Sequence, residues 1–122
     1  MNDLAILFIH YNRIQLLKKT INSLKNNFNS EADYIVADDS SPNHVIEQIK
    51  DLKIKLIKNE RKKGTGGNTN SGLLSIENKY ILQIQDDFEM IEKNHDFLQA
   101  ITNIMNVNED IDMVRFFGLP NE

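Results

Sequence analysis

The chain has 122 residues, room for one small domain and not for two, with a formal charge of -4, 40% apolar residues and 26% charged residues. That balance excludes a disordered tail, a fibrous repeat and a generally basic, nucleic-acid-binding surface. There is no cysteine, which excludes a disulfide frame and thiolate chemistry.

The first element is LAILFI, residues 4–9, a continuous apolar run of strand length, as a central parallel strand buried on both faces would require. It is too short for a signal-peptide core, and no stretch approaches the ~20 apolar residues of a membrane span, so a soluble, cytoplasmic protein is expected. The run stops at His10, Tyr11 and Asn12. Ile14, Leu17, Ile21, Leu24 and Phe28 then step by threes and fours along one helical face, with Asn12 as the expected N-cap and Gln15 three residues on.

YIVA, residues 34–37, predicts a second strand that ends at Asp38 and Asp39. Ser41 is expected to cap the next helix, with Pro42 in its first position and Val45, Ile46, Ile49 and Leu52 turned inward. Ile54, Leu56 and Ile57 pattern a third strand. The loop ERKKGTGGNTNSG follows, leading to a short helix around Leu73, Leu74 and Ile76. A fourth strand runs over residues 80–85, a helix carries Phe97, Leu98, Ile101, Ile104 and Met105, and residues 113–117 predict a fifth strand closed by Gly118 and Pro120. Strand and helix alternate throughout, so the class is α/β with a mainly parallel sheet.

Ligands of open parallel sheets bind at the carboxyl ends of the strands. The polar clusters fall there: His10, Tyr11 and Asn12; Asp38, Asp39, Ser40 and Ser41; the glycine-rich loop; Asp86 and Asp87. Two adjacent carboxylates repel unless a cation or hydrogen-bond donors offset them, and hard oxygen ligands suit Mg2+ or Mn2+. Taken alone the Asp86–Asp87 pair reads first as a cap of the following turn or a solvated pair; the second acidic cluster and the glycine-rich loop on the same edge turn the reading toward a cation site.

The glycine-rich loop lacks the Gly-Lys-Ser/Thr of a Walker loop and reads either as a connector or as a phosphate-facing backbone. The basic stretch from Lys53 to Lys63 reads as a solvated edge or as a neutraliser of phosphates. His10 would line a pocket or serve as a hydrogen-bonded structural histidine, while His44 and His95 look like first-turn helix residues.

Together, AILFIHYNR, YIVADDSS and NTNSGLLSIENKYILQIQDD resemble, in order and spacing, the N-terminal half of a family 2 glycosyltransferase of the GT-A fold. The resemblance implies a single donor-binding domain over residues 1–122, a Rossmann-like, mainly parallel sheet flanked by helices and truncated before the acceptor-binding half. It implies a nucleotide-sugar donor, a UDP-sugar above others, and a glycan or lipid-linked acceptor, with no nucleic acid. His10 and Tyr11 would line the base pocket, Asp38 or Asp39 would contact the base, and Asp86 would lie near the ribose. Asn12, Ser41, Gly67 and Asn70 complete the implied substrate-binding set.

Asp87 would hold Mn2+ or Mg2+ on the diphosphate, the metal acting as a Lewis acid on the leaving group. The family often has an Asp where this chain has Gln85, and its general base lies beyond Glu122; Glu89 does not match that motif. The location implied is the cytoplasm or the inner face of the membrane. A truncated sheet would leave an apolar edge or face open to self-association or to a missing C-terminal half. Two other readings stand beside this one: a degenerate, non-catalytic donor-binding module, and a receiver-like regulatory domain, whose acidic pair should instead follow the first strand.

Overall fold

The computed structural model describes residues 1–27, 31–85, 97–110 and 113. In chain order the elements are β1 (Leu4–His10), α1 (Ile14–Asn27), β2 (Asp33–Asp38), α2 (Asn43–Asp51), β3 (Lys55–Lys58), α3 (Gly64–Leu74), β4 (Tyr80–Gln85) and α4 (Phe97–Val107). The four strands form one parallel sheet in the order β3-β2-β1-β4. Of the fifth strand expected over residues 113–117, all but Met113 lies outside the described residues, as does Phe28.

All seven residues of β1 are buried, because apolar side chains leave both faces of a central strand. Leu4, Ile6 and Phe8 point to one face, where Leu17, Ile21 and Leu24 of α1 and Val45, Ile46 and Ile49 of α2 close over them. Ala5, Leu7 and Ile9 point to the other, joining Ile35 and Ala37. Each fully buried Leu or Ile contributes roughly 1.5–3 kcal/mol, so these alternating residues anchor the sheet between two helical layers. β3 is short, with Lys55 and Lys58 exposed on an edge strand.

Two helix caps differ from the sequence expectation. The Leu17 amide bonds the Arg13 carbonyl, so α1 starts behind Arg13, and Asn12 stands outside the helix at φ +50°. The N-cap of α2 is Pro42 rather than Ser41, and it makes no side-chain cap bond. The Ser41 hydroxyl is engaged elsewhere, with Asp38.

The largest difference is α3. The segment read as a glycine-rich loop is helical from Gly64 onward, although it carries four glycines among eleven residues, GTGGNTNSGLL. Local propensity disfavours a helix there by about 1 kcal/mol per glycine relative to alanine. Tertiary contacts override it. Gly72 lies so close to the sheet that a Cβ would meet the Leu7 methyls at 3.0 Å and the Ala37 Cβ at 3.1 Å, which lets the helix backbone rest on β1 and β2. Its first turn is held by an acidic side chain from β2's exit.

Candidate functional site

Parallel register brings the carboxyl ends of all four strands to one edge. His10 pairs with Asp38, Asp38 with Lys58, and Ile9 with Gln85. Backbone bonds continue the ladder past the strand ends, from the Asp39 amide to the His10 carbonyl at 3.0 Å and from the Asn59 amide to the Asp38 carbonyl at 2.9 Å. Since β2 and β3 lie to one side of β1 and β4 to the other, the chain reverses its winding between β1 and β4. A crevice at such a switch point is where α/β sheets bind ligands.

Asp38 is fully buried and surrounded by donors. Its Oδ1 accepts from His10 Nδ1 at 2.8 Å and from Ser41 Oγ at 2.6 Å, and its Oδ2 accepts the Ser41 amide at 2.8 Å. Burial pushes its carboxyl pKa up; the hydrogen bonds from His10 and Ser41 outweigh that and hold it below the ordinary 3.8. The Arg13 amide donates to His10 Nε2 at 3.0 Å. With Nε2 accepting the Arg13 amide, Nδ1 is the ring nitrogen that donates to Asp38. His10 is thus the structural, hydrogen-bonded histidine, while Tyr11 and Asn12 beside it are exposed.

Asp39 faces the other way, as successive residues leaving a strand do. It is 3% exposed, and its carboxylate accepts the Lys63 and Gly64 amides at 2.7 and 2.9 Å and the Asn59 side-chain amide at 3.1 Å. Asp39 therefore caps α3 from outside the helix, filling the place that Lys63 leaves open as an N-cap without a side-chain bond. Gly64 sits in this capped turn at φ +77°, a backbone conformation that favours glycine.

Two residues at the centre of this edge were not among the expected substrate-binding residues. Asn68 is buried and donates to the Ala37 carbonyl at 2.9 Å and the His10 carbonyl at 3.4 Å, while accepting from Asn59 at 3.0 Å. Asn59 in turn joins Asn68 to Asp39. The missing signal was the helix itself: Asn68 and Gly72, four residues apart, are the buried face of α3. Asn70, expected in the site, is exposed on α3. Gly67 packs on the first turn, where a Cβ would stand 2.7 Å from the Lys63 Cβ.

The solvent side of the edge is cationic and aromatic. Lys62 Nζ lies 3.9 Å above the centre of the Tyr11 ring, which is 39% exposed, and Lys58, Arg61 and Lys63 are exposed nearby in the chain. Among the described residues no three of His, Cys, Asp and Glu gather as a metal-binding set. Asp38 and Asp39 have spent their buried oxygens on internal donors and do not fit a cation. Asp86 and Asp87, the expected ribose and metal residues, lie outside the described residues, as do Glu89 and His95.

A concavity of about 480 Å³ lies at the opposite end of the sheet, lined in part by Asp33, Tyr34, Lys53 and Asn78. There Asp33 accepts from the Asn2 amide and side chain and from Asn78, tying the starts of the strands together. The Asn78 hydrogen bond is the leading cause that holds the Asp33 pKa below 3.8. Asp33 and Asn78 are paired here with each other and with Asn2, contacts that serve the fold.

Comparison with known proteins agrees with this geometry. The profile of glycosyl transferase family 2 matches residues 5–116. The GalNAc(5)-diNAcBac-PP-undecaprenol beta-1,3-glucosyltransferase of Campylobacter jejuni is 30% identical over 97 residues, covering 75% of this chain and 31% of the relative. Among solved structures, S. aureus TarS 1-349 superposes with a TM-score of 0.72 at 18% identity, covering 99% of this chain and 39% of that one; TarS 1-349 has also been solved with UDP. Mannosyltransferase PcManGT of Pyrobaculum calidifontis, solved with GDP-Man and Mn2+, gives 0.70 at 12% identity over 84% of this chain and 32% of its own. The chain thus spans about a third of the length of these proteins, and the sheet and its helices are those of the GT-A fold. Among the described residues no helix is long and apolar enough to cross a membrane.

Proposed function

The chain belongs to glycosyl transferase family 2, and from that premise we propose that it is the donor-binding half of an enzyme moving a sugar from a nucleoside-diphosphate sugar to an acceptor hydroxyl. The observation that carries this reading is the switch point between β1 and β4, where the His10–Asn12 turn and the β4 exit stand side by side. The Tyr11 ring offers a flat apolar face for a base at that point, and the cations of residues 58–63 offset the charge of a diphosphate. A UDP-sugar is the donor expected first.

Asp86 is assigned to the ribose and Asp87 to a bound Mn2+ or Mg2+, which supplies Lewis-acid stabilisation of the departing diphosphate. Asp38 and Asp39 act by holding the turn and helix that frame the crevice. A glycan on a lipid diphosphate is the acceptor class, supported by the name of the Campylobacter jejuni relative, and it would place the protein at the inner face of the membrane. No residue of this chain is assigned as the general base. A partner-dependent, non-catalytic donor-binding module is the second reading, favoured by Gln85 where the family often carries a carboxylate.

A thermal-shift screen with UDP, GDP, CDP and dTDP, each with and without Mn2+, tests the proposal. A ligand at a hundredfold excess over its dissociation constant stabilises the fold by about 2.7 kcal/mol. The expected result is a metal-dependent shift, largest with UDP, that Asp87→Ala abolishes. No shift with any of the four would refute donor binding. Sugar transfer by this chain alone would refute the second reading.

A further inference from the structure

The buried Asp38 carboxylate stands at the root of two short hydrogen-bond chains that end on consecutive backbone amides of one exposed turn. In the first, His10 Nδ1 donates to Asp38 and His10 Nε2 accepts the Arg13 amide, at 2.8 and 3.0 Å. In the second, Ser41 Oγ donates to Asp38 and accepts the Asn12 amide, at 2.6 and 2.9 Å. Each chain is directional: the side chain gives its proton to the carboxylate and so turns a lone pair toward the backbone.

Asp38 is fully buried, yet Tyr11, Asn12 and Arg13, in the turn its two chains reach, are all exposed at the mouth of the crevice. Asn12 sits at φ +50°, the left-handed region that asparagine adopts more readily than most residues, and its amide is held there by Ser41. An ionised carboxylate suits this arrangement, since three donors converge on its two oxygens.

We propose that Asp38 is a positioning residue that, through His10 and Ser41, fixes the turn over residues 11–13 and with it the Tyr11 ring that receives the nucleotide. The role in nucleotide binding rests on the donor-site reading; the control of the turn does not. Asp38 and Asp39, adjacent in sequence, thereby divide the frame of the crevice, one holding the β1–α1 turn and the other the start of α3.

The test uses Ser41→Ala, which deletes the acceptor of the Asn12 amide, and His10→Asn, whose shorter amide still donates to Asp38 but cannot reach the Arg13 amide. Amide hydrogen exchange by NMR and titration with UDP and Mn2+ are read on each variant. In Ser41→Ala the Asn12 amide is expected to exchange about tenfold faster or more, with the Phe8 and Ile9 amides unchanged. In His10→Asn the Arg13 amide should be the one released. UDP should bind about tenfold more weakly in both.

Unchanged exchange at Asn12 and Arg13 would overturn the proposal. Acceleration extending equally to Phe8 and Ile9 would also overturn it, by reducing the network to general stability. Selective release with unaltered UDP affinity would show that the turn does not serve the nucleotide. If the parent chain binds no UDP, the donor-site reading fails, and the exchange pattern still decides whether Asp38 governs the turn.

Discussion

Replacing Asp39 by alanine removes the cap that a poor helix depends on. α3 carries four glycines and has no side-chain cap of its own, so its first turn relies on the Asp39 carboxylate, bonded to the Lys63 and Gly64 amides at 2.7 and 2.9 Å. Loss of an N-cap costs about 1 kcal/mol, and loss of a negative charge at a helix N-terminus costs a further ~0.3–1 kcal/mol. The buried Asn59 amide, which now donates to Asp39 and Asn68, would lose one acceptor at a cost of about 1 kcal/mol. Together these predict a destabilisation of about 2–3 kcal/mol, a large share of the ~5–15 kcal/mol that holds a domain of this kind folded.

Asp39→Asn should lose less, because its amide oxygen can still accept two of the three donors while its NH2 confronts the third. Urea denaturation followed by circular dichroism at pH 7 reads both variants, with an unchanged m-value confirming that the native state is what lost stability. A carboxylate reserved for a ligand would behave differently: removing it would leave stability unaltered or raise it. A loss in Asp39→Ala below about 0.5 kcal/mol, within the range of ordinary surface substitutions, would refute the capping role.

Gly72→Val should destabilise by about 1–3 kcal/mol through overpacking against Leu7 and Ala37, read by the same denaturation; a gain in stability would mean that α3 does not rest on the sheet as described. Asp38 has a folded pKa below 3.8, so its ionised form contributes stability that is complete above that value and is lost as pH falls through the lower folded value. Acid titration of the parent chain and of Asp38→Asn should therefore show a difference in stability that is constant near neutrality and shrinks below about pH 4. A difference that persists undiminished to pH 2 would contradict it.

Much of the fold was legible because period and hydrophobicity agree. The run LAILFI could only be a strand buried on both faces, and the steps Ile14, Leu17, Ile21, Leu24 only a helix with one apolar stripe; both stand as read. The parallel class followed from the alternation of elements. The polar edge of the sheet was legible as a set of strand exits, and His10, Asp38, Asp39 and Ser41 do come together there. Their individual jobs were not. A sequence presents Asp38 and Asp39 as a like-charged pair at a ligand's edge, but side chains alternate along an extended chain, so one turned to His10 and Ser41 and the other to α3.

α3 failed for a related reason. Its glycines, read locally, disfavour a helix before Leu73, and what favours one is supplied by residues far away in sequence: Asp39 at the N-terminus, and Leu7 and Ala37 beneath Gly72. With the first turns of the helix hidden, so was the placement of Asn68 inward and Asn70 outward. Which residues are apolar, at what period, and which polar groups follow each strand are properties of neighbours along the chain, and those could be read directly. Which carboxylate meets which donor depends on the packing of distant elements, since burial makes each unpaired polar group costly and the partners that relieve it arrive from other elements.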